Sequence, residues 1–187
     1  MSTITSTTTE LAPAGTWSAD PVHSHVGFEV EYAGVSTFRG AFNDFSVALT
    51  GGSEPTLEGS AKVASVDVKD ENLNGHLQNP DFFDAARYPE ISFKATELHR
   101  LEDNTVEGAG ELTIKGVTQQ IGITGATAAA PVTDPMGRER LGLRLETTID
   151  RTQYGVSWNA PNQTGGGDYV ANNVKLIVEL ALVKQEA

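Results

Sequence analysis

The sequence predicts an all-β fold, an antiparallel sandwich or barrel of about eight strands with one short helix inserted. Three observations lead there. Apolar and polar residues alternate with a period of two through most of the chain, and short spacers containing Gly, Asn or Asp separate the runs. A single segment, residues 79–87, breaks the period with helical punctuation. The chain has 187 residues and no cysteine, so one domain must hold together without disulfides or thiolate metal sites. A chain of this size buries roughly 70% of its unfolded surface, which suffices for a core.

The strands follow in order. Val26, Phe28, Val30 and Tyr32 alternate with Glu29 and Glu31, giving one apolar and one polar face. Phe45, Val47 and Leu49 repeat the pattern up to Gly51-Gly52, a turn signal. The stretch from Leu57 to Val68 reads as strand, and Ile91, Phe93 and Ala95 alternate with Ser92, Lys94 and Thr96. After an Asp103-Asn104 turn come Val106, Gly108, Gly110, Leu112 and Ile114, then Gln119 to Thr127. Leu141, Leu143, Leu145, Thr147 and Ile149 form the next run, and Val174, Leu176, Val178, Leu180 and Leu182 the last. Between them, Ala128-Ala129-Ala130-Pro131 and Asp134-Pro135-Met136-Gly137 read as a connecting loop. In the exceptional segment Asn79 can cap, Pro80 suits the first helical position, Asp81 favours the positive end of the dipole, and Pro89 stops the helix. Residues 1–14 are rich in Ser and Thr and are expected to form a disordered arm, leaving a single domain over 15–187.

Charge excludes whole classes of partner. Lys and Arg number 13 against 25 Asp and Glu, a net charge of -12, so the chain lacks the positive field that draws proteins to nucleic-acid phosphates. No apolar run is long enough for stable membrane insertion, and the N-terminus lacks the basic and apolar parts of a signal peptide, so a cytoplasmic location is expected.

Catalytic signatures are sparse. Gly155-Val156-Ser157-Trp158-Asn159 lacks the last glycine of a hydrolase elbow, and Gly165-Gly166-Gly167 lacks the Lys-Ser/Thr of a phosphate loop. Asn162-Gln163-Thr164 matches a glycosylation sequon, which is silent in a protein that is not secreted. His23 and His25 stand two apart, as metal ligands on one strand face would, with His76, Glu29 or Asp70 as recruits. A polar outer edge of the first strand accounts for them better, and no metal, cofactor or catalytic residue is assigned. The aromatic residues Phe28, Phe42, Phe45, Phe82, Phe83, Phe93 and Trp158 fit either a packed core or the lining of an apolar cavity. Gly59, Ala61, Gly108 and Gly110 at strand positions leave space, which tilts toward the cavity without deciding between the two.

Several ordered motifs are shared with one family. The run from His76 to Asp84 (HLQNPDFFD), then Tyr88-Pro89-Glu90-Ile91-Ser92-Phe93, and Leu112-Thr113-Ile114-Lys115-Gly116-Val117-Thr118 all resemble the YceI-like family. So do Asp20, His23 and Ser24 leading to Phe28, Arg151 followed by Tyr154-Gly155-Val156 and Trp158-Asn159, and the closing Gly165-Gly166, Val170 and Val174-Lys175-Leu176. The resemblance covers residues 17 to about 184. It implies a lipocalin-like antiparallel barrel that binds, stores or transports a long amphiphile: a polyisoprenoid, an isoprenoid quinone or a fatty-acid derivative. It also implies a binding protein rather than an enzyme, and makes a homodimer plausible. Many relatives carry Arg-Asp where this chain has Leu73-Asn74, and many are exported to the periplasm.

On that resemblance the ligand-binding interior is expected to comprise Phe28, Val30, Phe42, Phe93, Leu112, Leu143 and Leu145. The helix carrying Phe82 and Phe83 would close one end, with His76, Arg87, Tyr88 and Trp158 near the mouth. Two other classes compete: a His- or metal-dependent enzyme acting on a bound lipid, and a filled barrel serving as a protein-interaction module.

Overall fold

Twelve strands form one continuous antiparallel sheet in a computed structural model that describes residues 9–160 and 168–187. They are β1 (Gly15–Ala19), β2 (His25–Tyr32), β3 (Ser36–Phe42), β4 (Phe45–Gly51), β5 (Thr56–Lys62) and β6 (Val66–Asp67). After the helix α1 (Glu71–Leu77) follow β7 (Glu90–Arg100), β8 (Thr105–Ile114), β9 (Val117–Thr127), β10 (Val132–Thr133), β11 (Glu139–Asp150) and β12 (Val170–Lys184). The order β11-β9-β8-β7-β5-β4-β1-β12 closes on itself through β11–β12, so eight strands make the expected barrel. The Gly165-Gly166-Gly167 loop and the Asn162 sequon lie outside the described residues.

The two ends of this barrel differ. β12 pairs with β11 from Asn173 to Val183, while its other edge is shared by β2 near Val178 and β1 near Leu182. β2, β3 and β6 thus prolong the wall begun by β1, β4 and β5. No pairing joins β6 to β7, and β9 meets β11 only between Thr124 and Thr127. At one end the strands close tightly; at the other they leave gaps for irregular chain to fill.

The tight end is filled. Trp17, Leu49, Leu98, Val106, Leu143 and Leu182 pack together there, with Trp17 fully buried. Leu11 and Ala12 join this cluster, which corrects the expected loose arm for residues 9–14. Thr9 pairs with Arg100, the Ala12 carbonyl accepts from Gly52, and the Trp17 indole donates to the Pro13 carbonyl at 3.0 Å. The Ser/Thr count hid two apolar residues that plug the barrel floor. Leu98 also faces inward, because a register shift between Ala95 and Glu97 inverts the alternation along β7.

The expected helix over 79–87 is displaced. The helix is α1, one motif earlier, capped by Asp70, whose Oδ1 accepts from the Leu73 amide at 2.9 Å. Pro80 is the proline that commonly follows a helix end, not one that starts a helix. Residues 79–88 form consecutive turns, with Asp84 at φ 52°, a conformation no right-handed helix admits. The glycines Gly108 and Gly110 also differ from expectation. Gly108 lies against the β7 backbone at Glu97, and the ring of Phe93 occupies the space a Gly110 side chain would need.

Outside the barrel, Arg140 joins two loops. Its Nη1 donates to Asp20 at 2.8 Å and its Nε to Asp134 at 2.8 Å; His23 Nδ1 also meets Asp20 at 2.8 Å. Arg140 is the main reason both carboxyls sit well below the usual carboxylate range, with His23 next at Asp20 and the Arg138 amide next at Asp134. Because the folded values lie below an unfolded value of about 3.9, this pairing stabilises the fold above that pH and is lost as pH falls toward the folded values. Asp134→Asn is therefore expected to lower the thermal midpoint at pH 7, with the gap to wild type narrowing between about pH 4 and pH 2. A gap independent of pH in calorimetric scans would contradict the assignment.

Candidate functional site

The open end holds a cavity of about 470 Å³. That is within the range of roughly 300–1,000 Å³ for small-molecule sites and several times the ~150 Å³ void that admits a benzene ring. Its walls are strand side chains turned inward by the period-two alternation: Phe28 and Val30 of β2, Phe42 of β3, Phe93 of β7, Leu112 of β8 and Leu145 of β11. Ile91, Ile114, Ile149, Val174 and Leu176 complete them. Small residues preserve the space, with Gly59 and Ala61 of β5 on the wall. The aromatic rings form a chain: Phe38 to Phe28 at 6.5 Å, Phe28 to Phe42 at 5.9 Å, Phe42 to Phe83 at 5.9 Å.

The helix α1 and the turns after it cover one gap in the wall. α1 contributes Leu73, His76 and Leu77, and the turns after it contribute Phe82 and Phe83. His76 lies edge-on to Phe82 at 5.1 Å and to Trp158 at 5.4 Å, and Phe82 meets Trp158 at 5.3 Å. Such pairs contribute about 0.5–1.5 kcal/mol each beyond their buried area. Asp81 stands 3.7 Å from His76 Nε2.

A lysine ties this cover down. Lys115 and Gly116 form the two-residue turn between β8 and β9, at φ 51° and 73°, the left-handed pair that a tight hairpin of this twist requires. From there Lys115 Nζ donates to the Pro80 carbonyl at 2.7 Å and to the Gly155 carbonyl at 3.0 Å. The motif Leu112–Thr118 therefore serves two ends: Leu112 and Ile114 line the cavity and its turn holds the cover.

The second gap, between β9 and β11, is filled by a single 3-10 turn, Arg151–Tyr154. Arg151 is buried and its guanidinium donates to four backbone carbonyls: Ala171, Val156, Trp158 and Val170. No carboxylate reaches it within ion-pair distance among the described residues; desolvation pushes its pKa down, opposed by the more distant Asp168 and Asp150. Tyr154 is 1% exposed, and its hydroxyl is buried with no hydrogen-bond partner among the described residues. Burial raises its pKa. Leaving such a group unpaired costs roughly 1–3 kcal/mol. Both residues line the cavity. Two further tyrosines line it, Tyr32 and Tyr169, whose hydroxyls lie 2.5 Å apart; this hydrogen bond is the main cause of the raised Tyr32 pKa.

Of the residues expected from sequence to surround the ligand, ten line this cavity: Phe28, Val30, Phe42, His76, Phe82, Phe83, Phe93, Leu112, Leu145 and Trp158. Three do not. Leu143 faces the barrel interior but at the filled end, packed in the lower core. Arg87 is exposed, 3.8 Å from Asp84 and stacked 5.4 Å over the Tyr88 ring. Tyr88 packs against Gly116, outside the cavity. Sequence reasoning missed Leu73, Phe38, Arg151 and Tyr154 on the wall. The Asp70-Glu71 pair ahead of Leu73 was a helix-start signal, whereas nothing local marks Tyr154 as buried.

His23 and His25 are not part of this site. His23 is exposed and engaged with Asp20, and the His25 ring lies over Gly27. Among the described residues no three His, Asp or Glu side chains come together as a metal-holding group, and no helix is long and apolar enough to cross a membrane.

Comparison with known proteins agrees with this architecture. A UPF0312 protein of Staphylococcus aureus is 31% identical over 156 residues, covering 79% of this chain and 85% of its own. The crystal structure of Burkholderia cenocepacia BcnA superposes with a TM-score of 0.75 at 22% identity, covering 89% of this chain and 99% of that one. A Saccharophagus degradans structure, described as a polyisoprenoid binding domain implicated in plant cell wall breakdown, gives a TM-score of 0.66 at 12% identity, covering 90% and 98%. The family model of the YceI-like domain matches residues 17–182, and the chain belongs to that family.

Proposed function

We propose that this protein binds a long-chain amphiphilic lipid, tail inward, in the cavity of its barrel, and stores or carries it without chemical change. The observation that carries the reading is the cavity itself: a void of about 470 Å³ whose wall is almost wholly aliphatic and aromatic. An unfilled apolar void forfeits the contacts its lining atoms would otherwise make, and a hydrocarbon chain restores them. About ten buried methylene equivalents would gain on the order of 8 kcal/mol gross, at roughly 0.8 each. Association costs reduce that figure, so a useful affinity needs a long tail or polar contacts at its head.

The cargo we favour is a polyisoprenoid, an isoprenoid quinone or a fatty-acid derivative. The family and the polyisoprenoid-binding neighbour support that class. A filled barrel acting only through its surface fits the structure less well, since the upper half is hollow. Leu73, where many relatives carry arginine, adds an apolar side chain to the wall beside His76.

Phe93→Asp tests the reading, because it places a carboxylate on the cavity wall beside Leu112, at the level where that wall packs onto the filled end. Burial of that charge costs several kcal/mol, so binding of a prenyl or acyl probe is expected to weaken by about a hundredfold or more with the far-ultraviolet circular dichroism unchanged. Undiminished binding by this folded variant would overturn the cavity as the site. Lys115→Met addresses the lid. Loss of its bonds to Pro80 and Gly155 is expected to raise hydrogen exchange in residues 79–88 and to speed probe release, with a change in thermal midpoint of only a few degrees. Unaltered release would separate the lid from cargo exchange.

A further inference from the structure

We propose that Arg151 and Tyr154 form a hydrogen-bonding subsite in the cavity wall for an acceptor oxygen of the bound amphiphile, a carbonyl or carboxylate. The proposal rests on the cavity reading above and specifies what its cargo carries. The two residues open and close one 3-10 turn, in which side chains three apart eclipse, so both fall on the same side and both line the cavity.

Their chemistry is complementary. The Tyr154 hydroxyl can donate and has no partner among the described residues, in a wall where His76 is already occupied by Phe82, Trp158 and Asp81. Arg151 carries a full positive charge held directly by carbonyl dipoles, with Asp168 and Asp150 acting on it only from beyond ion-pair distance. It has five N–H donors, and the four bonds to Ala171, Val156, Trp158 and Val170 leave one hydrogen on Nη2 unassigned among the described residues. A donor on the same turn as a cation that has no carboxylate in direct contact among the described residues selects an oxygen with partial or full negative charge. An aliphatic hydrocarbon would leave the hydroxyl unpaired, and an ammonium would be repelled.

Arg151 holds too much backbone to be replaced safely, whereas Tyr154→Phe removes a single atom. The full chain and this variant would be loaded with an apolar naphthylamine fluorophore, and displacement measured with oleic acid, a decyl benzoquinone and 1-heptadecene. Loss of one hydrogen bond is expected to weaken the variant's affinity for an oxygenated probe about tenfold relative to heptadecene. The thermal midpoint of the empty variant is expected to match or exceed wild type, because an unpaired buried hydroxyl has been removed. A loss confined to oleic acid identifies a carboxylate, and one confined to the quinone a carbonyl. Equal changes for all three probes, or none, overturn the subsite while sparing the cavity. Failure of every probe to displace the fluorophore from wild type overturns the cavity reading and the subsite with it.

Discussion

The ladder between β11 and β12 is the interaction on which the rest of the molecule depends. It runs from Arg140↔Val183 to Asp150↔Asn173 and converts an open meander into a ring. Because β12 outlasts β1, its free edge passes to β2 before the ring ends. One extended strand thus seals the barrel at its lower end and carries the wall upward past the point where the other strands still meet. A barrel of eight strands is about wide enough either to fill itself or to hold one ligand. Here it does each at a different height, with Trp17, Leu49 and Leu182 below and the cavity above.

The cost of an open upper end is unpaired backbone. Segments that leave a sheet expose carbonyls, and buried carbonyls need donors. Two cations supply them. Arg151 holds Val156, Trp158, Val170 and Ala171, while Lys115 holds Pro80 and Gly155. The lid is therefore organised by charge-assisted bonds to main chain, whereas its inner face is the aromatic stack of His76, Phe82 and Trp158. This division allows the inner face to remain largely aromatic although, α1 apart, the covering segments have no regular structure.

The strands were legible because burial on one face imposes alternation, and that pattern located nearly every long strand. Alternation also carried Phe28, Phe93 and Leu112 correctly to the cavity wall. It could not distinguish height along the barrel, which is why Leu143, inward-facing but low, was expected to line the cavity. Nor could it anticipate the shift on β7 that turns Leu98 inward, since a bulge leaves no compositional mark. Asn79-Pro80 carries the same residues whether a proline begins a helix or follows one, and the structure decides for the latter. Arg151 and Tyr154 were visible only as part of a family resemblance; their burial is a property of the gap between β9 and β11, which no local sequence encodes.

We infer that the hollow half of the barrel holds a lipid tail. Native mass spectrometry of protein purified from a bacterial host without detergent, followed by solvent extraction, tests it most directly. A reproducible extra mass that extracts as a prenyl or acyl chain is expected. A bare chain mass that persists after incubation with prenols, quinones and fatty acids would contradict it.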